Sequence, residues 1–167
     1  MILPIVAYGH PILRKVCTPI TADYPDLHLL IANMHATMHH ANGCGLAAPQ
    51  VNKAIRLFVV LEQTFINAII TYYSAITVTD DEGCLSIPRV SAPVPRSQEI
   101  TITWLDEHFN SHTATFTGEM ARMVQHEYDH IEGTLYLDRI SGLQRKLLHS
   151  KLSKIAKGKF HAPYPMR

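Results

Sequence analysis

The sequence predicts an α+β fold: antiparallel β-strands packed around a central helix, with an N-terminal helix and a C-terminal helix. Three observations lead there. An early segment carries apolar residues at helical spacing, the middle of the chain alternates like half-buried strands, and two further helical segments close it. Helices and strands are segregated along the chain, which argues against alternating βαβ units and a parallel sheet.

The elements follow in order. "AYGHPILRK" at residues 7–15 is punctuated by Gly9 and Pro11 and reads as an extended approach rather than a helix. In "DYPDLHLLIANMHATMHHANG", residues Leu27, Ile31, Met34, Met38 and Ala41 fall on one helical face. Pro25 suits its first turn, and Asn42-Gly43 its end. "IRLFVVL" at 55–61 is short, apolar and rich in β-branched residues, and "EITITW" places Ile100, Ile102 and Trp104 on one side. "DEHFN" is a hairpin connection to "SHTATF". "GEMARMVQHEYDHIEG" is helical, with Met120, Val124 and Ile131 on its apolar side and Gly133 as a stop. "LQRKLLHSKLSKIAKG" is the last helix, with Leu148, Leu152 and Ile155 inward, and "HAPYPMR" reads as a loose end.

With 167 residues the chain is expected to form a single domain spanning residues 1–167. Its apolar fraction of 47% and charged fraction of 17%, the latter low against a norm of about 25%, exclude disorder. No apolar run approaches the roughly 18 residues of a membrane span, and no leader pattern opens the chain. A soluble, cytoplasmic protein with no membrane association is the expectation. Cys17, Cys44 and Cys84 cannot all pair with one another and are expected to be reduced. The formal charge of +1 argues against wholesale nucleic-acid binding, yet from Arg139 onward the chain carries basic residues and no acid.

"QHEYDHIEG" at 125–133 carries the chemistry. His126 and His130, four apart on a helix, share a face, and Glu127 lies between them as a proton carrier. A catalytic metal site needs a third protein ligand and an open position. "DEGCLSIP" offers Cys84 in an extended, glycine-containing segment. Taken alone, Cys84 reads more readily as a small buried thiol; as a thiolate it would complete a Cys-His-His site. "GCGLAAPQ" at 43–50 has small residues that let the backbone approach a ligand, then Gln50, whose amide can donate to an oxyanion. Alone it is equally a helix-to-strand connection.

"GCGLAAPQ", "EGCLS" and "QHEYDH" match, in that order, the three motifs of the peptide deformylase family. "AYGHPILRK" resembles that family's N-terminal segment, so the similarity covers most of residues 1–140. The resemblance implies that Cys84, His126 and His130 hold the metal, by family preference Fe2+, with Zn2+, Ni2+ or Co2+ able to replace it. It implies hydrolysis of an N-formylmethionyl peptide, the N-terminus of a nascent chain, releasing formate. Glu127 would take a proton from the attacking water and pass one to the leaving amine. The Gln50 amide and the Leu85 backbone N–H would stabilise the oxyanion. Cys44, Gly45 and Leu85 would line the substrate groove, and Asp129 would support the metal ligands from behind, its own partner left open, with Arg122 weighed beside it.

Two departures from the family pattern bear on substrate affinity. Ala68 stands in "FINAII" where an Asn-Pro pair is typical, and the segment between Gln50 and Glu82 is short, so an altered strand edge beside the peptide groove is expected. His10 occupies a position where Asp or Asn is more usual. The basic C-terminal helix reads as a solvated face, or as a contact with the ribosome. His28, His35, His39 and His40 cluster on the first helix and read as polar-face residues, because no carboxylate or cysteine nearby in sequence completes a ligand set. Two rivals remain open: a zincin-like endopeptidase, whose third ligand would have to be Asp138 or His149 at awkward spacings, and a domain whose metal is structural.

Overall fold

The computed structural model describes residues 1–167. Helix α1 is Leu27–His40; strands are β1 Gly45–Ala47, β2 Leu57–Val60, β3 Gln63–Tyr73, β4 Thr77–Cys84, β5 Ile87–Ser97, β6 Glu99–Leu105 and β7 Ser111–Thr117; helix α2 is Gly118–Ile131 and helix α3 Gly142–Ala156. Five strands form one antiparallel sheet in the order β1-β2-β3-β6-β7, and β4 and β5 form a separate antiparallel hairpin. The fold is α+β.

Helix α2 lies between the two sheets. Its Ala121, Val124 and Ile131 are fully buried in one cluster with Phe58, Val60 and Phe65 of the larger sheet. Phe58 and Phe65 stack with centroids 4.8 Å apart, an arrangement that contributes about 1 kcal/mol beyond the area it buries. Gly133 ends the helix at φ 69, and a Cβ there would run into the Arg14 carbonyl, so only glycine serves both the turn and the approach. The predicted face of α1 is buried: Leu27, Ile31, Met34 and Met38 meet Leu46, Leu57 and Val59. In α3, Leu152 and Ile155 are buried and Leu148 packs partly against the same cluster.

Two sequence expectations are corrected. Residues 11–14 form a turn of 3-10 helix, capped by His10, whose Nδ1 accepts from the Ile12 amide at 3.2 Å. The unusual residue thus does the capping work an Asp or Asn side chain would do. The C-terminal end is not loose. The Ile5 amide donates to Pro165 and the Arg167 amide to Ile5, both at 2.9 Å, while the Ala7 amide donates to Arg167 at 2.9 Å, so the tail pairs with the N-terminal segment.

The short central segment is closed by a tight turn. β2 passes into β3 through a two-residue turn, Leu61-Glu62, with Val60 opposite Gln63. Ala68 is fully buried at a bulge of β3, an internal strand between β2 and β6. The adjoining Asn67 takes a left-handed φ of 51 and brackets Ile20, accepting from its amide and donating to its carbonyl.

Candidate metal centre

The β4–β5 hairpin turns through Leu85 and Ser86, so Cys84 stands at its tip. The register slips between Gly83 opposite Ser91 and Cys84 opposite Ile87, leaving Pro88–Val90 as a bulge with Arg89 at φ 59. Bulges bend a strand and re-aim its end; this one lies beside Cys84. Helix α2 supplies His126 and His130 from one face, their rings 5.2 Å apart and nearly perpendicular. Cys84 Sγ is 3.3 Å from His130 Nε2, and the three ligand atoms lie within 4.8 Å of one another. One thiolate and two imidazoles converging this closely fit a four-coordinate divalent metal with one position left for water or substrate.

A buried carboxylate network holds this set. His126 Nδ1 is 2.9 Å from Glu82 Oε2. Glu82 in turn receives both prongs of Arg96 at 2.8 Å and one donor of Arg122 at 2.7 Å. Burial alone would raise the Glu82 carboxyl, but the Arg96 and His126 contacts overcome it and hold the group far below the ordinary carboxylate range. Asp129 hydrogen-bonds to neither ligating histidine. It binds Arg96 and Arg139, the latter through Nε at 2.6 Å, and so anchors the network from the far side. His130 Nδ1 is buried without a partner.

Glu127 is buried, and its Oε2 has no hydrogen-bond partner. Desolvation pushes its carboxyl up to about 7, against the opposing pull of His126. Its carboxyl group fills the space that a Cβ at Gly45 would occupy. Gln50 is fixed at both ends of its amide: Oε1 accepts from the Ala47 amide at 2.8 Å, and Nε2 faces Cys84 Sγ at 3.4 Å and Ser86 Oγ at 3.2 Å. The Leu85 N–H has no partner within the chain, while its carbonyl accepts from the Tyr164 hydroxyl at 2.9 Å. These groups open onto a cleft of about 750 Å³ whose walls include Cys44, Gly45, Leu85, Arg89, Met123 and Tyr164.

The comparisons with known proteins agree with this geometry. The family model described as polypeptide deformylase matches residues 2–146. The chain belongs to the polypeptide deformylase family. A peptide deformylase of Flavobacterium johnsoniae is 46% identical over 188 aligned positions covering all of this chain and 96% of the relative. One of Cytophaga hutchinsonii is 42% identical, covering all of this chain and 97% of the relative. Among solved structures, the peptide deformylase from Thermus thermophilus superposes with a TM-score of 0.89 at 34% identity, covering 95% of this chain and all of that one. The Plasmodium falciparum peptide deformylase gives 0.87 at 33% identity, covering 92% and 99%.

As a deformylase the chain is a metal-dependent amidohydrolase, and the Cys-His-His set is the metal site typical of that family. Asp138, the downstream alternative for a third ligand, is instead occupied by Arg14, Arg145 and the Leu135 amide. Sequence reasoning missed Glu82, Arg96 and Tyr164. Arg96 lies on the buried face of β5, whose alternation is obscured in sequence by Pro88, Pro93 and Pro95, whereas Glu82 is the one buried residue of a largely exposed β4. Nothing in the sequence marked Tyr164. No helix of the chain is long and apolar enough to cross a membrane.

Proposed function

We propose that the chain removes the formyl group from the N-formylmethionine of nascent polypeptides, using Fe2+ held by Cys84, His126 and His130. The observation that carries this reading is the carboxyl of Glu127, buried and without a partner at Oε2, beside those three donors. A purely structural metal site has no use for a desolvated carboxyl at its edge. When bound, the metal supplies Lewis acidity that makes water a nucleophile near neutrality. Glu127, its carboxyl raised to about 7 by burial, accepts the proton of the attacking water and returns one to the departing amine. Gln50 Nε2 and the Leu85 N–H are the two donors available to the oxyanion; the loss of one such donor typically costs about 3 kcal/mol.

The substrate enters as an extended peptide. Cys44 and Gly45 on one side and Leu85 on the other are the backbone segments with which it pairs, and the cleft between them takes the methionine side chain. Asp129 acts at a distance, holding Arg96 so that Arg96 holds Glu82 and Glu82 holds His126.

The exposed face of α3 carries Arg145, Lys146, Lys151 and Lys154, with further lysines at 157 and 159. We assign this face to sequence-independent attraction to ribosomal RNA in the cytoplasm, where the substrate emerges.

The test is formate release from a formyl-Met peptide by protein prepared anaerobically with Fe2+, with Glu127→Ala alongside and a zinc-loaded sample for comparison. Turnover by the parent that disappears in a metal-replete variant supports the reading. Equal turnover by both would overturn it.

A further inference from the structure

We propose that His35, His39 and Glu62 form a second binding site for a first-row divalent cation, built on other elements than the catalytic centre. His35 and His39 are separated by one helical turn on α1 and share a face. In sequence no carboxylate lies near them. The fold supplies one, because the two-residue turn between β2 and β3 carries Glu62 to the helix: Glu62 Oε1 is 3.1 Å from His39 Nε2. The ligand atoms of all three residues lie within 4.8 Å of one another.

Several features distinguish this group from scattered surface histidines. The three donors come from two elements, so their convergence is not a by-product of helical spacing alone. His35 is half-buried and its ring is held in place, with Nε2 3.2 Å from Thr64 Oγ1 and Nδ1 enclosed without a partner. Leu61, which precedes Glu62, has a left-handed φ of 51, a conformation that costs a side-chain-bearing residue free energy. The tight turn therefore presents Glu62 to the helix at some expense. Helix α1 contains no lysine or arginine to repel a cation.

The donor chemistry sets the ligand class. Two imidazoles and a carboxylate suit Zn2+, Ni2+, Co2+ or Cu2+, whereas Mg2+ and Ca2+ prefer oxygen-only sets. Half-exposed His39 and largely exposed Glu62 leave the remaining coordination positions to water, so the site is exchangeable rather than sealed. It also has a route to the catalytic cleft. The Leu61 amide donates to the Cys44 carbonyl at 2.8 Å, and Cys44 lines that cleft. A cation bridging α1 and the turn would thus clamp the segment that forms one wall of the groove.

The test uses full-length protein already carrying one equivalent of zinc, dialysed against increasing ZnCl2 and assayed for bound metal. One further equivalent is expected in the parent, and His39→Ala and Glu62→Gln should each weaken it by at least about tenfold, since loss of even a group that hydrogen-bonds a ligand costs about 10–100-fold. Added zinc should raise the thermal unfolding midpoint of the parent and not of either variant. Turnover at one equivalent should be the same in all three proteins. Absence of a second equivalent overturns the proposal. So does a second equivalent unaffected by both substitutions, which would place the ion elsewhere, for instance at His28 and Glu107. Because the readout is stoichiometry and melting, neither outcome depends on deformylase activity.

Discussion

The carboxyl group of Glu127 occupies the volume that a side chain on Gly45 would fill. The requirement for glycine there is steric and comes from α2, which packs directly against β1, rather than from backbone dihedrals. Gly45→Ala must therefore move Glu127, and a displacement of about 1 Å can cost on the order of a hundredfold in rate. We expect Gly45→Ala to lower kcat by about that factor while metal content stays at the parent's level. Glu127→Gln, which keeps the shape and removes the base, should lower kcat by about 10²–10⁴. Unchanged kcat in Gly45→Ala, with Glu127→Gln inactive, would show that the carboxyl relocates freely.

Glu82 accepts from His126 and takes three arginine donors, so its substitution tests how far the buried network sets the metal centre. Glu82→Gln keeps the volume but leaves Arg96 with only Asp129 as a charge partner. Metal affinity, measured by competition with a chelator, should fall about 10–100-fold. Stability should also fall, by less than the ~3–5 kcal/mol that a fully unpaired buried charge costs, because Asp129 still compensates Arg96. Loss of stability with unchanged metal affinity would mean that the network supports the hairpin and not His126.

What the sequence disclosed and what it hid divide along physical lines. The helices were legible because α1 and α2 bury stripes at 3.6-residue spacing, and the metal ligands because HExxH and EGCLS are local patterns. The β4–β5 hairpin was illegible because Pro93 and Pro95 argue against a strand. They are tolerated because the hairpin is a separate two-stranded sheet, in which a strand has one edge without a partner and needs no amide there. The motif marks Asp129 but not its partners, because Arg96 and Arg139 reach it from outside α2. Glu62 was invisible as a neighbour of His39 because only the turn at Leu61 joins them. The docked tail escaped notice because two prolines in seven residues look irregular, whereas its pairing meets the needs of the backbone at Ile5 and Ala7.

Asp138 gives a stability prediction with a definite sign. Burial works against its charge, but the Arg14 hydrogen bond and the Leu135 amide prevail and hold the carboxyl below its ordinary value. A carboxyl depressed in the folded state stabilises the fold above the unfolded pKa of about 3.9, and that contribution is lost as pH falls through the folded value. Asp138→Asn should thus show a lower urea midpoint than the parent near about pH 6, and the gap should narrow as pH falls below about 3.9 and close below the folded value. Both proteins are measured metal-free in chelator, so that release of the metal plays no part. A gap that persists at the acid end would assign the effect to packing.

Tyr164 links the C-terminal tail to the catalytic turn. Its hydroxyl donates to the Leu85 carbonyl while the Leu85 N–H has no partner within the chain, so the tail restrains the residue proposed to meet the oxyanion. The tail is itself pinned, through Arg167 and Pro165, to the N-terminal segment. Tyr164→Phe removes one hydrogen bond worth about 1 kcal/mol, equivalent to roughly fivefold, and keeps the ring that walls the cleft. If the restraint aids the transition state, the loss falls on kcat, with KM and metal affinity unchanged. If Tyr164 only shapes the groove, the ring suffices and Tyr164→Phe behaves as the parent, whereas Tyr164→Ala raises KM. Removing residues 162–167 should combine both effects, because it takes away the hydroxyl, the ring and the anchor together.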